Sequence, residues 1–185
     1  MKKILKIIGL LFLLIIIFRR PVYKEAVKYT VIQTRDCIPI TNLNLLNSIE
    51  FRAFAKDMDL DKIIEIASTI TREELSFTFR ETSNDPNVII DTNVANCVGY
   101  SAMFNSIANH LIEKNYLEEK YTAVHQVGLL TFLGKSIHPY FVGEFFRDHD
   151  FNTVKNMETG EVISIDPSLN DYFRISEVSI SSSSS

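Results

Sequence analysis

The sequence predicts an α+β domain in which helices come first and an antiparallel sheet follows. The chain has 185 residues, of which 46% are hydrophobic and 23% charged, enough for one domain with its own core. Apolar residues recur at helical spacing up to about residue 114. Beyond that point, segments rich in Val, Ile, Phe and Tyr lack the helical period and favour strands. Helices followed by strands are typical of the α+β class.

The first twenty residues predict a membrane-directed segment. Lysines precede an apolar run from Ile7 to Phe18, as in the n-region and h-region of a secretory signal. No small-x-small cleavage site follows, because Arg19-Arg20-Pro21 occupies that place. We therefore expect residues 1–20 to be an uncleaved single-pass anchor that places the protein at a membrane, with secretion after signal cleavage as the alternative.

The charge of the chain is divided unevenly. Five of its 19 basic residues lie within the first twenty, where there is no acid. The remainder holds 14 basic and 23 acidic residues, so its net charge is near −9. An acidic body of this kind argues against nucleic acid as a partner, because nucleic-acid surfaces need a basic patch.

Three long helices are predicted before the sheet. Thr41 caps a helix that runs to about Phe54, in residues 21–58, which we interpret as a linker and the N-terminal helix of the domain. Asp57 or Asp59 caps the next helix. Its predicted buried face consists of Leu60, Ile63, Ile64, Ala67 and Ile70. The third runs from about Val98 to Lys114, and the core domain is predicted over residues 59–178.

Shorter segments between and after the helices predict strands and turns. Tyr29 to Gln33 is interpreted as a short strand or an extended linker, and residues 77–81 as a helix extension or a short strand. Residues 83–87 form a cluster typical of turns. The main strands are predicted at 122–132, 140–147, 150–156 and 161–166, with Glu158-Thr159-Gly160 as the turn between the last two. The tail, residues 179–185, is expected to be disordered.

Cys97 is the candidate nucleophile. Asn96 is a favourable N-cap, so the cysteine falls in the first turn of its helix, where unpaired N–H groups favour an anion. The Cys97 N–H is a candidate oxyanion donor, and Asn96 is a further candidate for contact with the substrate or the oxyanion. Gly99 is expected to let a substrate approach the helix start, because it has no Cβ.

His149 and Asp166 are the candidate base and its orienting acid. The histidine begins a predicted strand, and the aspartate ends the next one, 17 residues later. If the turn at 158–160 closes a hairpin, the two side chains lie opposite each other at the same end. Asp166 then fixes the tautomer of the imidazole. Asp150 is a poorer partner, because neighbouring strand residues point to opposite faces.

Other assignments for these residues stay open at this stage. A disulfide between Cys37 and Cys97 is the main alternative to catalysis, and a buried structural cysteine is another. His125 and His138 compete with His149 as the base, although no acid is placed across a hairpin from either. No His, Cys or acidic cluster has metal-ligand spacing, and the Asp57–Asp61 run lacks the Gly and Glu of a calcium loop.

Three segments of the chain resemble the signature segments of the transglutaminase-like superfamily. They are Asn-Cys-Val-Gly-Tyr-Ser-Ala-Met-Phe from Asn96, His-Asp-Phe-Asn-Thr-Val from His149, and Ile-Asp-Pro-Ser around Asp166. The resemblance covers about residues 59–170. It implies a papain-like triad of Cys97, His149 and Asp166 on a core in which the Cys-bearing helix packs against an antiparallel sheet. The family usually has Trp two residues after the histidine, where this chain has Phe151, a candidate substrate contact.

The resemblance implies a thiol enzyme that acts on amide bonds of a peptide or protein substrate. Cys97 would attack the carbonyl and form a thioester, which passes its acyl group to water or to an amine. No metal or organic cofactor is expected. Two alternatives are a cell-wall peptidase of the NlpC/P60 type and a non-catalytic, membrane-tethered binding or scaffold domain.

Overall fold

A computed structural model describes residues 16–53, 58–140 and 148–181, and it has the predicted α+β architecture. Six helices occur in the described residues: α1 Arg19–Ala26, α2 Leu43–Arg52, α3 Leu60–Glu74, α4 Pro86–Thr92, α5 Cys97–Lys114 and α6 Pro167–Phe173. A 3₁₀ turn covers His138–Tyr140. The helices and strands alternate more than the sequence predicts. Helix α1 comes directly before the first strand, and α6 comes directly after the strand Val162–Ile165.

The strands of the described residues form one main sheet and one small pair. They are β1 Val27–Arg35, β2 Ser76–Phe77, β3 Val94–Ala95, β4 Tyr121–Phe132, β5 Lys135–Ser136, β6 His149–Asn156, β7 Val162–Ile165 and β8 Ser179–Ile180. The main sheet has the order β7-β6-β4-β1-β8, with β5 paired to β4. Its neighbours are antiparallel except β1 and β8, and the parallel pair β2-β3 stands apart.

β1 is an inner strand of the main sheet. It pairs with β4 from Val27 opposite Phe132 to Arg35 opposite His125, and with β8 on its other side. Residues 27–35 therefore form a strand of the folded domain, which agrees with the strand interpretation of residues 29–33 and not with the linker alternative. Tyr29, at the centre of β1, is fully buried.

The main sheet curls until it is nearly closed. The Val178 N–H donates to the Ser164 carbonyl at 2.9 Å, and the Asp166 N–H donates to the Ser176 carbonyl at 2.9 Å. These bonds tie the segment before β8 to β7, which lies at the opposite end of the strand order. The curl encloses a small apolar cluster of Tyr29, Phe151 and Val178.

The larger core lies between the helices and the outer face of the sheet. Helix α5 is buried over most of its length, and α3 packs beside it. Val154 on β6 and Ile165 on β7 join this core from the sheet. Of the face predicted for α3, Leu60, Ile63, Ala67 and Ile70 are buried and Ile64 is only partly so. The amino-terminal part of α5 is held against β6, where Asn152 Nδ2 donates to the Ser101 carbonyl at 3.1 Å.

Several predicted boundaries are confirmed and others shift. Helix α5 and the turn before β7 agree with the sequence, and Asp59 caps α3. Asn42, not Thr41, caps α2 by accepting the N–H groups of Asn44 and Leu45. The short segment at residue 77 is strand β2, and the turn cluster at 83–87 leads into α4. Ser179 and Ile180, expected in a disordered tail, form β8.

Some predictions fall on residues outside the described ranges. They concern residues 1–15 of the expected membrane segment, Phe54 and Asp57 near α3, most of the predicted strand 140–147, and Ser182–Ser185. Within the part of the chain that the structure describes, no helix has both the length and the apolar character needed to cross a membrane.

Candidate active site

The candidate nucleophile lies where the sequence places it. Cys97 is the first residue of α5, and the Asn96 side-chain oxygen accepts the N–H groups of Val98 and Gly99 at 3.1 and 3.2 Å. Asn96 thus acts as the helix cap, and its side chain is occupied by that role. Since these bonds leave the Cys97 N–H unused, it is the donor at the helix start that can face an oxyanion. Cys97 is 5% exposed.

His149 and Asp166 form a hydrogen bond, as the hairpin predicts. His149 Nε2 donates to Asp166 Oδ2 at 2.6 Å, and the His149 side chain remains 24% exposed. Because Nε2 is taken by the carboxylate, Nδ1 is the ring nitrogen left for the thiol. The Cys97 sulfur is close enough to the ring to contribute to the raised pKa of His149.

The register of the hairpin differs from the one predicted. Asn152 pairs with Ile165, and Lys155 pairs with Val162, so the hairpin is centred between Glu158 and Thr159. This register would place Asp166 across from Phe151, two positions from His149. The histidine and the aspartate are therefore diagonal neighbours and not a directly opposed pair, and the long imidazole spans the offset.

All four acceptor positions of the buried Asp166 carboxylate are used. Oδ2 accepts from His149 and from the Tyr29 hydroxyl, the latter at 2.9 Å. Oδ1 accepts from Ser168 Oγ at 2.8 Å and from the Leu169 N–H at 2.9 Å, which caps α6. Since the single hydroxyl proton of Tyr29 goes to Asp166, Tyr23 donates to the Tyr29 oxygen, 2.8 Å away.

The environment of the pair favours a charged imidazole. Burial opposes the charge on His149, but the Asp166 carboxylate and the Cys97 sulfur outweigh it and raise the pKa of His149 well above its usual value. Burial also opposes the charge on Asp166, yet His149, Leu169 and Ser168 lower the pKa of its carboxyl. The arrangement places a positively charged imidazole near the Cys97 sulfur, as catalysis by a thiol nucleophile requires.

Two of the candidate substrate contacts have a packing role in the structure. Phe151 is 0% exposed and packs against Tyr29 in the inner cluster, with ring centroids 5.0 Å apart, so it does not contact a substrate. A Cβ on Gly99 would lie 2.8 Å from Ala95 Cβ. Gly99 is therefore needed for the contact between α5 and β3, and it does not open a path to the sulfur.

A second His–Asp pair lies on the face of β6 that carries Asp150. His125 Nε2 and Asp150 Oδ1 are 2.8 Å apart, and Arg35 Nε donates to the same oxygen at 2.6 Å. The sequence places no acid across a hairpin from His125, and Asp150 reaches it instead from β6, the neighbouring strand of the sheet. Burial opposes the Asp150 charge, but His125 and Arg35 lower the pKa of its carboxyl. Asp150 does not partner His149, in agreement with the opposite-face argument.

Sequence reasoning missed three residues around the site. Tyr29 and Ser168 donate hydrogen bonds to Asp166. The hydrogen bond to Asp150 is the main cause of the raised pKa of Arg35, and the nearby Cys97 makes a smaller contribution. Ser168 is marked by the Asp-Pro-x pattern, since proline at N1 after a capping Asp predicts a helix start. Tyr29 and Arg35 come from a distant strand, and no local pattern identifies them.

Both cysteines are free thiols. The exposed Cys37 accepts a weak hydrogen bond from Asn109 Nδ2 at 3.5 Å. Asn109 lies twelve positions beyond Cys97 on α5, about 18 Å along the axis. A disulfide needs Cα atoms within about 7 Å, so a Cys37–Cys97 bridge does not fit this fold. Among the described residues, no group of three or more His, Cys, Asp or Glu side chains is placed to hold a metal ion.

An apolar cavity of about 310 Å³ opens beside the His149–Asp166 pair. Aromatic and aliphatic side chains from α1, β1, β4, α6 and the segment after β2 line it, together with His149 and Asp166. Cys97 is not among the residues that line it. The cavity therefore adjoins the imidazole on a side that the sulfur does not occupy.

Comparisons with known proteins add no evidence about the function of this site. No protein-family model matches the chain, no curated protein matches it, and no solved structure matches it.

Proposed function

We propose that this protein is a cysteine enzyme that cleaves or transfers amide bonds through a thioester on Cys97. The observation that carries the proposal is the convergence of three groups from distant parts of the chain. Cys97 stands at a helix amino terminus, close enough to His149 to contribute to its raised pKa, and His149 bonds the buried Asp166 carboxylate at 2.6 Å. Nucleophile, base and orienting acid are the three roles that covalent acyl transfer requires.

The mechanism uses only side chains of this chain. The Cys97 thiolate attacks the amide carbonyl carbon, and the oxygen takes the negative charge beside the Cys97 N–H. The C–N bond then breaks as the His149 imidazolium gives its Nδ1 proton to the leaving amine. Water or a second amine, deprotonated by the now neutral ring, attacks the thioester and releases the acyl group. Asp166 holds the ring in place and stabilises its charged form.

The same proposal extends to the fold. A transglutaminase-like core is supported by the chain order Cys, His, Asp and by a Cys-bearing helix packed on an antiparallel sheet. The parallel β1-β8 pair and the near-closure of the sheet are features of this chain that the three motif segments do not describe. Anchoring through residues 1–20 remains part of the proposal.

Substitution of the sulfur tests the enzymatic proposal. Cys97→Ser and Cys97→Ala should each lower kcat/KM on peptide amides by about 10³-fold or more, because covalent attack is lost. Cys37→Ser is the matched control and should retain activity. Mass spectrometry of a quenched reaction should find the acyl group on Cys97 in the wild type.

Alkylation provides a readout that does not require the natural substrate. Iodoacetamide should modify Cys97 at pH 6–7 faster than the exposed Cys37, because the imidazolium holds the sulfur as a thiolate. His149→Ala should abolish that preference. A Cys97 that stays unmodified in the folded wild type, together with no turnover of any peptide amide, would favour a non-catalytic binding domain.

A further inference from the structure

The cavity beside His149 has walls that offer an occupant mainly carbon atoms. The polar atoms at its inner end are engaged with one another: Tyr23 with Tyr29, and Tyr29 with Asp166. Ser168 Oγ is likewise bonded to Asp166. A polar ligand would have to break these bonds, whereas an apolar one would leave them intact.

The outer wall of the cavity is a set of aromatic rings in contact. Phe77 meets Phe79 and Tyr172 edge to face, with centroids 5.1 and 5.5 Å apart. Phe79 is 69% exposed and Tyr172 is 59% exposed, so these two rings form the rim. Aromatic rings fixed in this manner favour a further ring or a branched aliphatic group packed against them.

The size of the cavity limits the occupant to one large side chain. A cavity of about 150 Å³ accommodates benzene, and this one is about 310 Å³. It can therefore receive a group as large as an indole ring, while a glycine or alanine side chain would leave most of it empty.

The position of His149 indicates which half of an amide substrate, the acyl half or the amine half, lies in the cavity. The imidazole gives its proton to the leaving nitrogen, so the leaving half lies on the histidine side. His149 lines the cavity and Cys97 does not. We propose that the cavity binds a large aromatic or branched aliphatic side chain on the amine half of the cleaved amide, adjacent to the scissile bond; this inference rests on the function proposed above.

Paired substrates test the inference on the whole protein. Two peptide amides share one acyl half and carry Trp or Gly as the first residue of the leaving half. Wild type should prefer the Trp substrate in kcat/KM by about tenfold or more. The double substitution Phe79→Ala with Tyr172→Ala should bring the ratio close to one. Phe51→Ala is the control, because it removes an 80% exposed ring that does not line the cavity, and it should keep the wild-type ratio.

A binding measurement separates this inference from the proposed function. The chain contains no Trp, so emission of the Trp peptide can be followed without background from the protein. Its anisotropy should rise on titration with Cys97→Ala protein, and the added rim substitutions should weaken that binding by about tenfold or more.

The outcomes are distinguishable. Turnover with a Trp-to-Gly ratio near one in the wild type would overturn the cavity assignment and leave the thiol mechanism standing. Binding that depends on the rim, without turnover of any amide, would reject the mechanism and retain the apolar site. Circular dichroism checks folding, and if the double variant unfolds, the two single rim variants take its place.

Discussion

At the scale of single residues, the buried carboxylate of Asp166 governs the charge on His149. It accepts four hydrogen bonds, and only one of them comes from the imidazole. Protonation of a carboxylate that accepts four hydrogen bonds is unfavourable, so Asp166 stays negatively charged and favours the positively charged form of His149. Tyr29 and Ser168 therefore affect the thiol site without any contact to the sulfur.

The His149–Asp166 pair predicts a window of pH in which it stabilises the fold most. The raised pKa of His149 means that its contribution is present below the ordinary value of about 6.5 and is lost as pH rises through the folded value. The lowered pKa of Asp166 means that its contribution is present above about 3.9 and is lost as pH falls through the folded value. Both contributions are complete between about pH 4 and 6.5.

Asp166→Asn tests this window. The free energy of unfolding, measured by urea denaturation at pH 5.5, should fall by about 2 kcal/mol, because a partly buried imidazolium loses its charged partner. The pKa of His149, followed by NMR of the ring, should fall from its raised value. At a pH above the folded pKa of His149, wild type and variant should differ less. An unchanged His149 titration in the variant would contradict the assigned role.

At the scale of elements, the start of α5 is fixed by close packing as well as by its cap. Gly99 faces β3 and α4, where Ala95 Cβ and Ile89 Cδ1 would lie 2.8 and 3.5 Å from an added Cβ. The helix can approach the small β2-β3 pair only with a glycine at this position. Since Cys97 is two residues earlier, a shift of the helix start would also move the sulfur.

Gly99→Ala should therefore destabilise the protein by about 1–3 kcal/mol through overpacking. It should also slow alkylation of Cys97, because the displaced helix start no longer presents the sulfur to His149. A double-mutant cycle with Ala95→Gly, read by thermal or urea unfolding, should recover part of the loss. Strict additivity of the two substitutions would show that this contact does not set the helix position.

At the scale of the whole molecule, one buried ionic cluster links three strands of the sheet. Arg35 comes from β1, His125 from β4 and Asp150 from β6, and the carboxylate contacts both basic side chains. The cluster lies on the opposite side of β6 from the inner cluster of Tyr29 and Phe151. It joins Arg35 in the first strand of the domain to residues that come 90 and 115 positions later in the chain.

Asp150→Asn should lower the free energy of unfolding by about 3 kcal/mol. This is near the lower end of the range expected when a buried ion pair is broken, because Arg35 remains partly exposed to water. The measurement is urea unfolding at neutral pH, with Glu158→Gln in the exposed hairpin turn as control. Cys97 alkylation should persist in folded Asp150→Asn protein. A loss of Cys97 reactivity without loss of stability would instead assign the cluster to the thiol site.

The local features of this fold were accessible from the sequence. The capping residue Asn96 and the apolar residues at helical spacing after it predict α5, and the turn at Gly160 predicts the hairpin that joins His149 to Asp166. What the sequence did not predict depends on distant partners. Tyr29 is buried because β4 and β8 flank its strand, and Asp150 meets His125 only because of the β4–β6 register. The His149–Asp166 offset likewise depends on where the hairpin turn is centred, which composition alone does not specify to one residue.

The carboxylate that orients the imidazole also begins a helix, and that double duty has an observable consequence. Whatever alters the charge on the ring alters how strongly the same side chain accepts a hydrogen bond from the Leu169 amide in the first turn of α6. Deuterium uptake at the Leu169 amide should therefore respond when the sulfur is capped, although that peptide group takes no part in the chemistry. The exchange rate of this amide should therefore report whether the Cys97 sulfur carries a covalent group.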